Sequence, residues 1–390
     1  MTVNSAQSER PRVSLLLPDM RGGGAERISV NLANELDARG YCVDMVLLRA
    51  EGALLPLLAP GIGVVDLAVP RIRGLLFPLV RYLNDFRPQA FLACMWPLTV
   101  VSVVARALST AKPRLVLAEH TTWSASEIAG SRWRLRLVGA TMRLAFPFAD
   151  ARVAVSQGAA DDLAGIAALP RSSITVLYNP VVGKSIEGRN EQARSAQAWW
   201  RSPDRRILAV GTLRADKDFR TLLRAFALVC KEVDARLLIL GEGAQRQSLM
   251  ALSKDLDIAH RIDMPGFVDQ TASYYERADL YVLSSIAEGL PTVVIEALAA
   301  GARIVSTDCP SGPREILMGG KFGRLVPVGD VDALARAMVD ALADEPDRAA
   351  LMVRAQDFSV AKATDAYERV LFGSEVLPPN GRAVSLESFE

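Results

Sequence analysis

Three consecutive glycines, Gly22, Gly23 and Gly24, follow an apolar run at 13–17 and open a helical stretch that reaches Arg39. Glycines at such a junction let an anion approach the backbone, and amide groups at a helix start point towards it. A glycine turn also opens helices for steric reasons alone. No Gly-Lys-Ser/Thr follows, so the segment is not a P-loop. In GTLRADKDF, Arg214 and Lys217 stand three apart at a second strand-to-helix junction. Two cations there suit a diphosphate, or form an ordinary solvated pair. The segment SSIAEGLPTVVIEALAAG, residues 284–301, places Pro291 at the first helical position and Gly301 at the far cap. Glu288 precedes that helix, facing its positive end. Glu296 lies a turn inside, among Val, Ile, Leu and Ala. A buried carboxylate there needs hydrogen-bond donors such as the hydroxyls of a sugar or ribose. A solvent-facing Glu on a short helix is the plainer alternative. His120, after Glu119 at the end of an apolar run, reads as a site residue or as a hydrogen-bonded structural histidine. His260, in the polar stretch AHRID, reads as surface.

These residues need strands to hold them. Apolar runs of four to seven residues at 13–17, 42–48, 90–93, 114–118 and 151–155 alternate with helical or polar segments. A second series begins with runs at 207–210, 236–240, 261–264, 280–283 and 303–306, with helices expected at 219–232, up to about 256, at 271–277 and at 292–300. Such alternation is the signature of parallel sheets covered on both faces. Two α/β domains are therefore expected, at 1–180 and 204–355, joined by a polar linker at 181–203. A C-terminal helix at 356–374 is expected to pack back on the first domain, and 375–390 to form a loose tail.

The chain has 390 residues, half of them hydrophobic and 23% charged, with a net charge of +1. That composition fills cores, excludes a disordered or collagen-like chain, and argues against a nucleic-acid partner. Cys42, Cys94, Cys230 and Cys309 are far apart, which fits reduced, packed thiols in a cytosolic protein rather than a zinc or redox motif. The uncharged stretch 88–105 contains Gln89 and Pro97 and is too short for a membrane-spanning helix. Between positions 69 and 143 there are 11 basic and 3 acidic residues. Within and just beyond that region, SRWRLRLVGATMRLAFPF at 131–148 interleaves Trp133, Leu137, Met142, Leu144 and Phe148 with Arg132, Arg134, Arg136 and Arg143. It reads as an interfacial amphipathic helix, or as an ordinary surface helix with one buried face.

Taken together, GGGAE, the EH pair, GTLRADKDF and EGLPTVVIE with its two glutamates eight apart resemble retaining glycosyltransferases of family 4, in colinear order over about residues 12–372. STDCPSGPREIL, at 306–317, is similar to the branch that builds lipid-linked glycans and surface polysaccharides. The resemblance implies a GT-B fold, α/β, with two Rossmann-like doubly wound domains facing a cleft. It implies a nucleotide-sugar donor, with a UDP-sugar favoured, and no cofactor. No metal is expected, because Asp216-x-Asp218, Asp255-x-Asp257 and Asp330-x-Asp332 fall on a phosphate-site loop, a polar helix and a late loop rather than after an apolar strand. Glu296 would hold the ribose, Glu288 the donor sugar, and Lys217 the phosphates, and His120 would lie beside the transferred sugar. The backbone at Gly266, Phe267 and Val268 would read the base, and that at Gly289, Leu290, Pro291 and Thr292 would face sugar and phosphate. Gly243 joins the donor-side set, and Gly22–Gly24 would close over the diphosphate. Thr212 departs from the pattern, since many members carry Arg there. Arg214 is the candidate replacement.

The acceptor implied is a glycan on a polyprenyl diphosphate, met at the cytoplasmic membrane face with peripheral contact to anionic lipid. A soluble acceptor is the alternative. Readings from other classes are a nucleotide-sugar epimerase, a non-catalytic sugar-nucleotide-binding protein, and an NAD-dependent oxidoreductase. The last rests on Gly241-x-Gly243 with Asp263, but the third glycine of the dinucleotide fingerprint is missing.

Overall fold

The computed structural model describes residues 10–125, 130–183, 203–268 and 270–373. Most of the expected linker and the whole expected tail lie outside these residues. The chain divides into two compact units, one running to Gly183 and resuming at Ser359, the other chiefly Lys184–Phe358.

The first unit contains β1 (Arg12–Leu17), α1 (Gly24–Ala38), β2 (Cys42–Leu47), β3 (Gly63–Asp66), α2 (Leu76–Phe86), β4 (Ala90–Cys94) and α3 (Leu98–Leu108). It continues through β5 (Arg114–Glu119), α4 (Arg132–Ala145), β6 (Ala151–Ala154), α5 (Gln157–Ala167) and β7 (Thr175–Val176). Its seven strands run in the order β3-β2-β1-β4-β5-β6-β7, all parallel. The central strands are apolar throughout because helices cover both faces: β4 is buried at every position. The uncharged stretch at 88–105 resolves into β4 and most of α3, with Pro97 capping the helix. Among the described residues no helix is long and apolar enough to cross a membrane.

The second unit contains β8 (Arg205–Val210), α6 (Phe219–Val229), β9 (Ala235–Leu240), α7 (Arg246–Asp255), β10 (Ile262–Gly266), α8 (Ala272–Arg277) and β11 (Leu280–Leu283). It ends with α9 (Thr292–Ala299), β12 (Ile304–Thr307), α10 (Pro313–Ile316), β13 (Arg324–Val326), α11 (Val331–Ala343) and α12 (Arg348–Ala355). Its six parallel strands are ordered β10-β9-β8-β11-β12-β13, the same doubly wound pattern. Three strands, β3, β7 and β13, were not expected from the sequence. Each has four residues or fewer and at most one buried position, so none carries an apolar run. Pro291 is the N-cap of α9 rather than its first residue.

The last helix, α13 (Val360–Phe372), belongs to the first unit. Arg39 at the end of α1 reaches Asp365 at 2.6 Å and Glu368 at 2.8 Å. Tyr41 stacks on Phe372, and Tyr367 and Leu371 are buried in the core with β1, β2 and β4.

Candidate active site

In a doubly wound sheet, ligands bind beyond the carboxyl ends of the strands, where the strand order reverses. In the second unit that point lies between β8 and β11. The loop after β8 carries Thr212, Arg214 and Lys217, and the loop after β11 carries Ser284 to Leu290. The two loops are stitched together. Lys217 Nζ lies 2.6 Å from Glu288 Oε1, and Ser285 Oγ donates to the same oxygen at 2.6 Å. Ser284 Oγ donates to the Lys217 carbonyl, and the Ile286 amide donates to the Asp216 carbonyl. A cation and a carboxylate 71 positions apart thus meet at the switch point. The Glu288 side chain is only 9% exposed, so its acceptor capacity is directed by these donors rather than by bulk water.

Glu296, on α9, is half-buried, and Thr271 Oγ1 donates to its Oε2 at 3.3 Å. Tyr281 of β11 feels the charges of both Glu288 and Glu296. It is fully buried, its hydroxyl has no hydrogen-bond partner among the described residues, and burial followed by the Glu288 and Glu296 charges pushes the phenol well above its ordinary range. Sequence reading missed Tyr281, Ser285 and Thr271, because nothing in their spacing marks them. Only the strand alternation could have placed Tyr281 opposite the core-facing Leu280 and Val282.

Arg214 is exposed and held by its neighbour: Nε and Nη2 donate to Asp216 at 3.0 and 2.6 Å. Its charge is therefore shared with a carboxylate, and Thr212 is itself exposed. Gly289, Leu290 and Pro291 are buried, Thr292 is half-buried, and the Ser311 hydroxyl donates to the Gly289 carbonyl at 2.8 Å, bracing the start of α9. After β10, Gly266 and Val268 are buried and Phe267 is half exposed. Gly243 has a packing reason of its own. Its φ is +159°, and a Cβ there would sit 2.5 Å from the Leu213 carbonyl oxygen. That close approach accounts for the GEG turn without a dinucleotide.

In the first unit, the glycine loop leaves β1 beside the β1/β4 switch point. Gly24 faces open space, and the Glu26 carboxylate folds back over Gly23. Burial raises the Glu26 carboxyl, against the pull of its own backbone amide. His120 follows β5. Both imidazole nitrogens are buried and neither has a hydrogen-bond partner among the described residues. Burial alone lowers the imidazole to about 4, so the ring is neutral near pH 7. Most buried side-chain nitrogens in folded proteins have a partner, so this pair is an exception.

Glu119 is fully buried beside it. Thr99 Oγ1 donates to Oε1 at 3.0 Å, and the Trp96 amide donates to Oε2 at 3.3 Å. Burial outweighs these hydrogen bonds and lifts the carboxyl to about 8. The folded protein therefore keeps Glu119 protonated, whereas the unfolded chain ionises it near 4.5. The stability gained from the neutral acid is complete below about pH 4.5 and is lost as pH rises towards 8. Glu119→Gln, which fixes the neutral form, should be increasingly stable relative to wild type from pH 5 to pH 8, by on the order of 3 kcal/mol at the upper end. Urea titrations of both proteins at each pH measure the gap, and His120 cancels in the difference. A gap that stays constant would mean that Glu119 is ionised in the fold.

Residues 22–182 match the family model described as Glycosyltransferase Family 4, and residues 191–358 match Glycosyl transferases group 1. A Campylobacter jejuni protein described as N-acetylgalactosamine-N,N'-diacetylbacillosaminyl-diphospho-undecaprenol 4-alpha-N-acetylgalactosaminyltransferase is 30% identical over 68% of this chain and 69% of its own length. A second C. jejuni protein, described as an alpha-1,4-N-acetyl-D-galactosaminyltransferase acting on a GalNAc-containing undecaprenol diphosphate, is 25% identical over 92% of this chain and 98% of its own. Anabaena HepE, crystallised with UDP-glucose, superposes with a TM-score of 0.78 at 20% identity, covering 92% of this chain and 99% of that one. Matches to both halves, a relative at this identity and coverage, and the shared two-sheet architecture lead to one conclusion: the chain belongs to glycosyltransferase family 4 and has the GT-B fold.

Proposed function

We propose that this glycosyltransferase moves a hexose or N-acetylhexosamine from a UDP-sugar to a glycan carried on a polyprenyl diphosphate, with retention of configuration and without a metal. The work would take place at the cytoplasmic face of a membrane, in surface-polysaccharide or glycoconjugate assembly. The observation that carries the donor half is the Lys217–Glu288–Ser285 cluster at the switch point of the second sheet. A diphosphate entering there meets a lysine already directed by a carboxylate, together with the start of α9. Glu296 offers its carboxylate to ribose hydroxyls, Glu288 to sugar hydroxyls, and the loop 266–268 its backbone to the base. The glycines at 22–24 close on the diphosphate. The UDP-glucose bound by HepE and the undecaprenol-linked acceptors named for the Campylobacter relatives support the choice of substrates.

Three of the six acids in the Asp-x-Asp pairs are engaged within the fold. Asp216 binds Arg214, Asp218 accepts from the Thr221 amide to cap α6, and Asp330 caps α11 in the same way. The charge that develops on the leaving diphosphate then falls to Lys217, Arg214 and backbone dipoles. In the step we favour, the acceptor hydroxyl attacks C1 on the face the diphosphate leaves. The C1–O bond to phosphate breaks with its electron pair, and the hydroxyl proton passes to the departing phosphoryl oxygen. His120, neutral, orients a sugar hydroxyl.

The test combines donor binding with product analysis. UDP and UDP-sugars should raise the melting temperature more than the GDP, ADP or TDP series. Transfer to a polyprenyl-diphosphate glycan should continue in excess EDTA and give the donor's anomeric configuration. A preference for another base, or activity abolished by EDTA and restored by manganese, would overturn the corresponding part.

A further inference from the structure

The helix α4 has two apolar faces. Val138, Gly139, Met142 and Ala145 form the inner one. Gly139 brings the helix so close to α5 that a Cβ there would lie 2.4 Å from the Ile166 carbonyl oxygen. This seam buries Met142, which the sequence pattern had grouped with the outward residues. The outer face is the unexpected one. At about 100° per residue, Trp133, Leu137, Ala140 and Leu144 fall within an arc of about 60°, directly opposite the seam. Trp133 is 65% exposed, Leu137 49% and Leu144 73%, and Phe148 in the turn that follows is 70% exposed. Arg106 of α3 donates to the Phe148 carbonyl at 3.2 Å, which brings α3, with its own exposed Val104 and Leu108, alongside. Single exposed apolar side chains are common, but a continuous row of large ones marks a surface that is covered in use.

The charges around the row select the cover. Arg132, Arg136 and Arg143 line one edge and Arg134 the other, and all four are exposed. None of them forms an ion pair among the described residues. Across the described part of 69–150 the acids are Asp85 and Asp150, both exposed and ion-paired with Arg81 and Arg106, and Glu119, fully buried. Arg134 lies over the Trp133 ring, 5.4 Å from its centroid. An apolar ridge bordered by guanidinium groups without ion pairs among the described residues suits lipid tails below and anionic headgroups above. A protein partner would have to supply a matching acidic frame around an apolar groove.

We propose that the outer face of α4, with the adjoining edge of α3, docks this protein on anionic bilayers, inserting Trp133, Leu137, Leu144 and Phe148 to the headgroup boundary. The inner side of the same helix reaches the acceptor-side strand ends. Trp96 Nε1 donates to Thr141 Oγ1 of α4 at 3.0 Å, and the Trp96 amide donates to Glu119, next to His120. The docked helix is thus one hydrogen-bonded side chain away from the His120 end of the sheet. This deepens the proposed lipid-linked acceptor by naming the surface that meets its membrane, and rests on that reading for the acceptor's identity alone.

Vesicle sedimentation of the full chain, with neither donor nor acceptor present, tests it. The protein should pellet with vesicles containing phosphatidylglycerol and stay in solution with phosphatidylcholine alone, and raised salt should release it. Arg132→Gln/Arg134→Gln/Arg136→Gln/Arg143→Gln and, separately, Leu144→Asp/Phe148→Asp should each weaken partitioning by about a hundredfold. All these side chains point outward, so melting temperature and the UDP-induced thermal shift should remain at wild-type values. That shift reads the donor site independently, so a failure of docking and a failure of the transferase reading are distinguishable. Equal binding to neutral vesicles, unaltered binding by both variants, or no binding at all would overturn the proposal. So would a wild-type dimer in sedimentation velocity that the Leu144→Asp/Phe148→Asp variant converts to monomer without vesicle binding, since a second copy would then be the occupant.

Discussion

His120→Ala should lower kcat by about a thousandfold while the dissociation constant for UDP changes by less than about threefold. The reason is the state of the imidazole. Its nitrogens are buried without a partner among the described residues, and burial holds the ring neutral. A neutral ring with an unused donor and an unused acceptor is prepared to hydrogen-bond a hydroxyl of the reacting sugar. If that contact strengthens as the glycosidic bond to phosphate breaks, its loss appears in turnover and leaves nucleotide affinity nearly untouched. His120→Asn, which keeps one donor, should recover part of the rate. Single-turnover kinetics with isothermal titration of UDP separates the two effects. A large loss of UDP affinity with unchanged kcat would place His120 at the nucleotide instead.

Glu296→Ala should do the reverse, weakening UDP binding by about thirty- to a hundredfold with kcat little altered at saturating donor. Its carboxylate is half-buried on an otherwise apolar helix and in contact with Thr271 at 3.3 Å. Ribose hydroxyls donating to this carboxylate would do so equally in the ground state and the transition state. The loss is therefore uniform and falls on KM and Kd together. Glu296→Gln, which keeps one acceptor oxygen, should lie between wild type and alanine. Unchanged titration of UDP against Glu296→Ala would remove this residue from the nucleotide site.

The comparison of His120 with Lys217 shows how far reading the residues alone goes. Both were legible as candidates, since each follows an apolar run that could only be a buried parallel strand. The distinction between a structural and a ligand-directed histidine was not legible. It depends on whether any neighbour offers a hydrogen bond, and those neighbours come from distant segments. Lys217 looked like a free cation for phosphate. In the fold it already touches Glu288, so the two residues form one unit and a substitution of either changes both. Arg214 looked equivalent, yet a carboxylate two positions away holds it.

The short strands β3, β7 and β13 and the inner face of α4 make a related point. A strand of two to four residues at a sheet edge needs no apolar run, because it forms on the hydrogen-bonding template of its neighbour. On the side of α4 that turns inward, Gly139 lies close against the Ile166 carbonyl. The helix has enough apolar residues for either side, so its composition alone leaves the choice open.

By itself, the sequence determined two parallel α/β sheets and the strand ends that carry the chemistry, because burial on both faces demands continuous apolar runs and leaves the polar residues at their carboxyl ends. Tertiary structure alone decided which of those polar groups meet, which stay unsatisfied, and which proton Glu119 keeps. Hydrogen bonds and desolvation depend on distances of a few ångströms between segments that lie far apart along the chain.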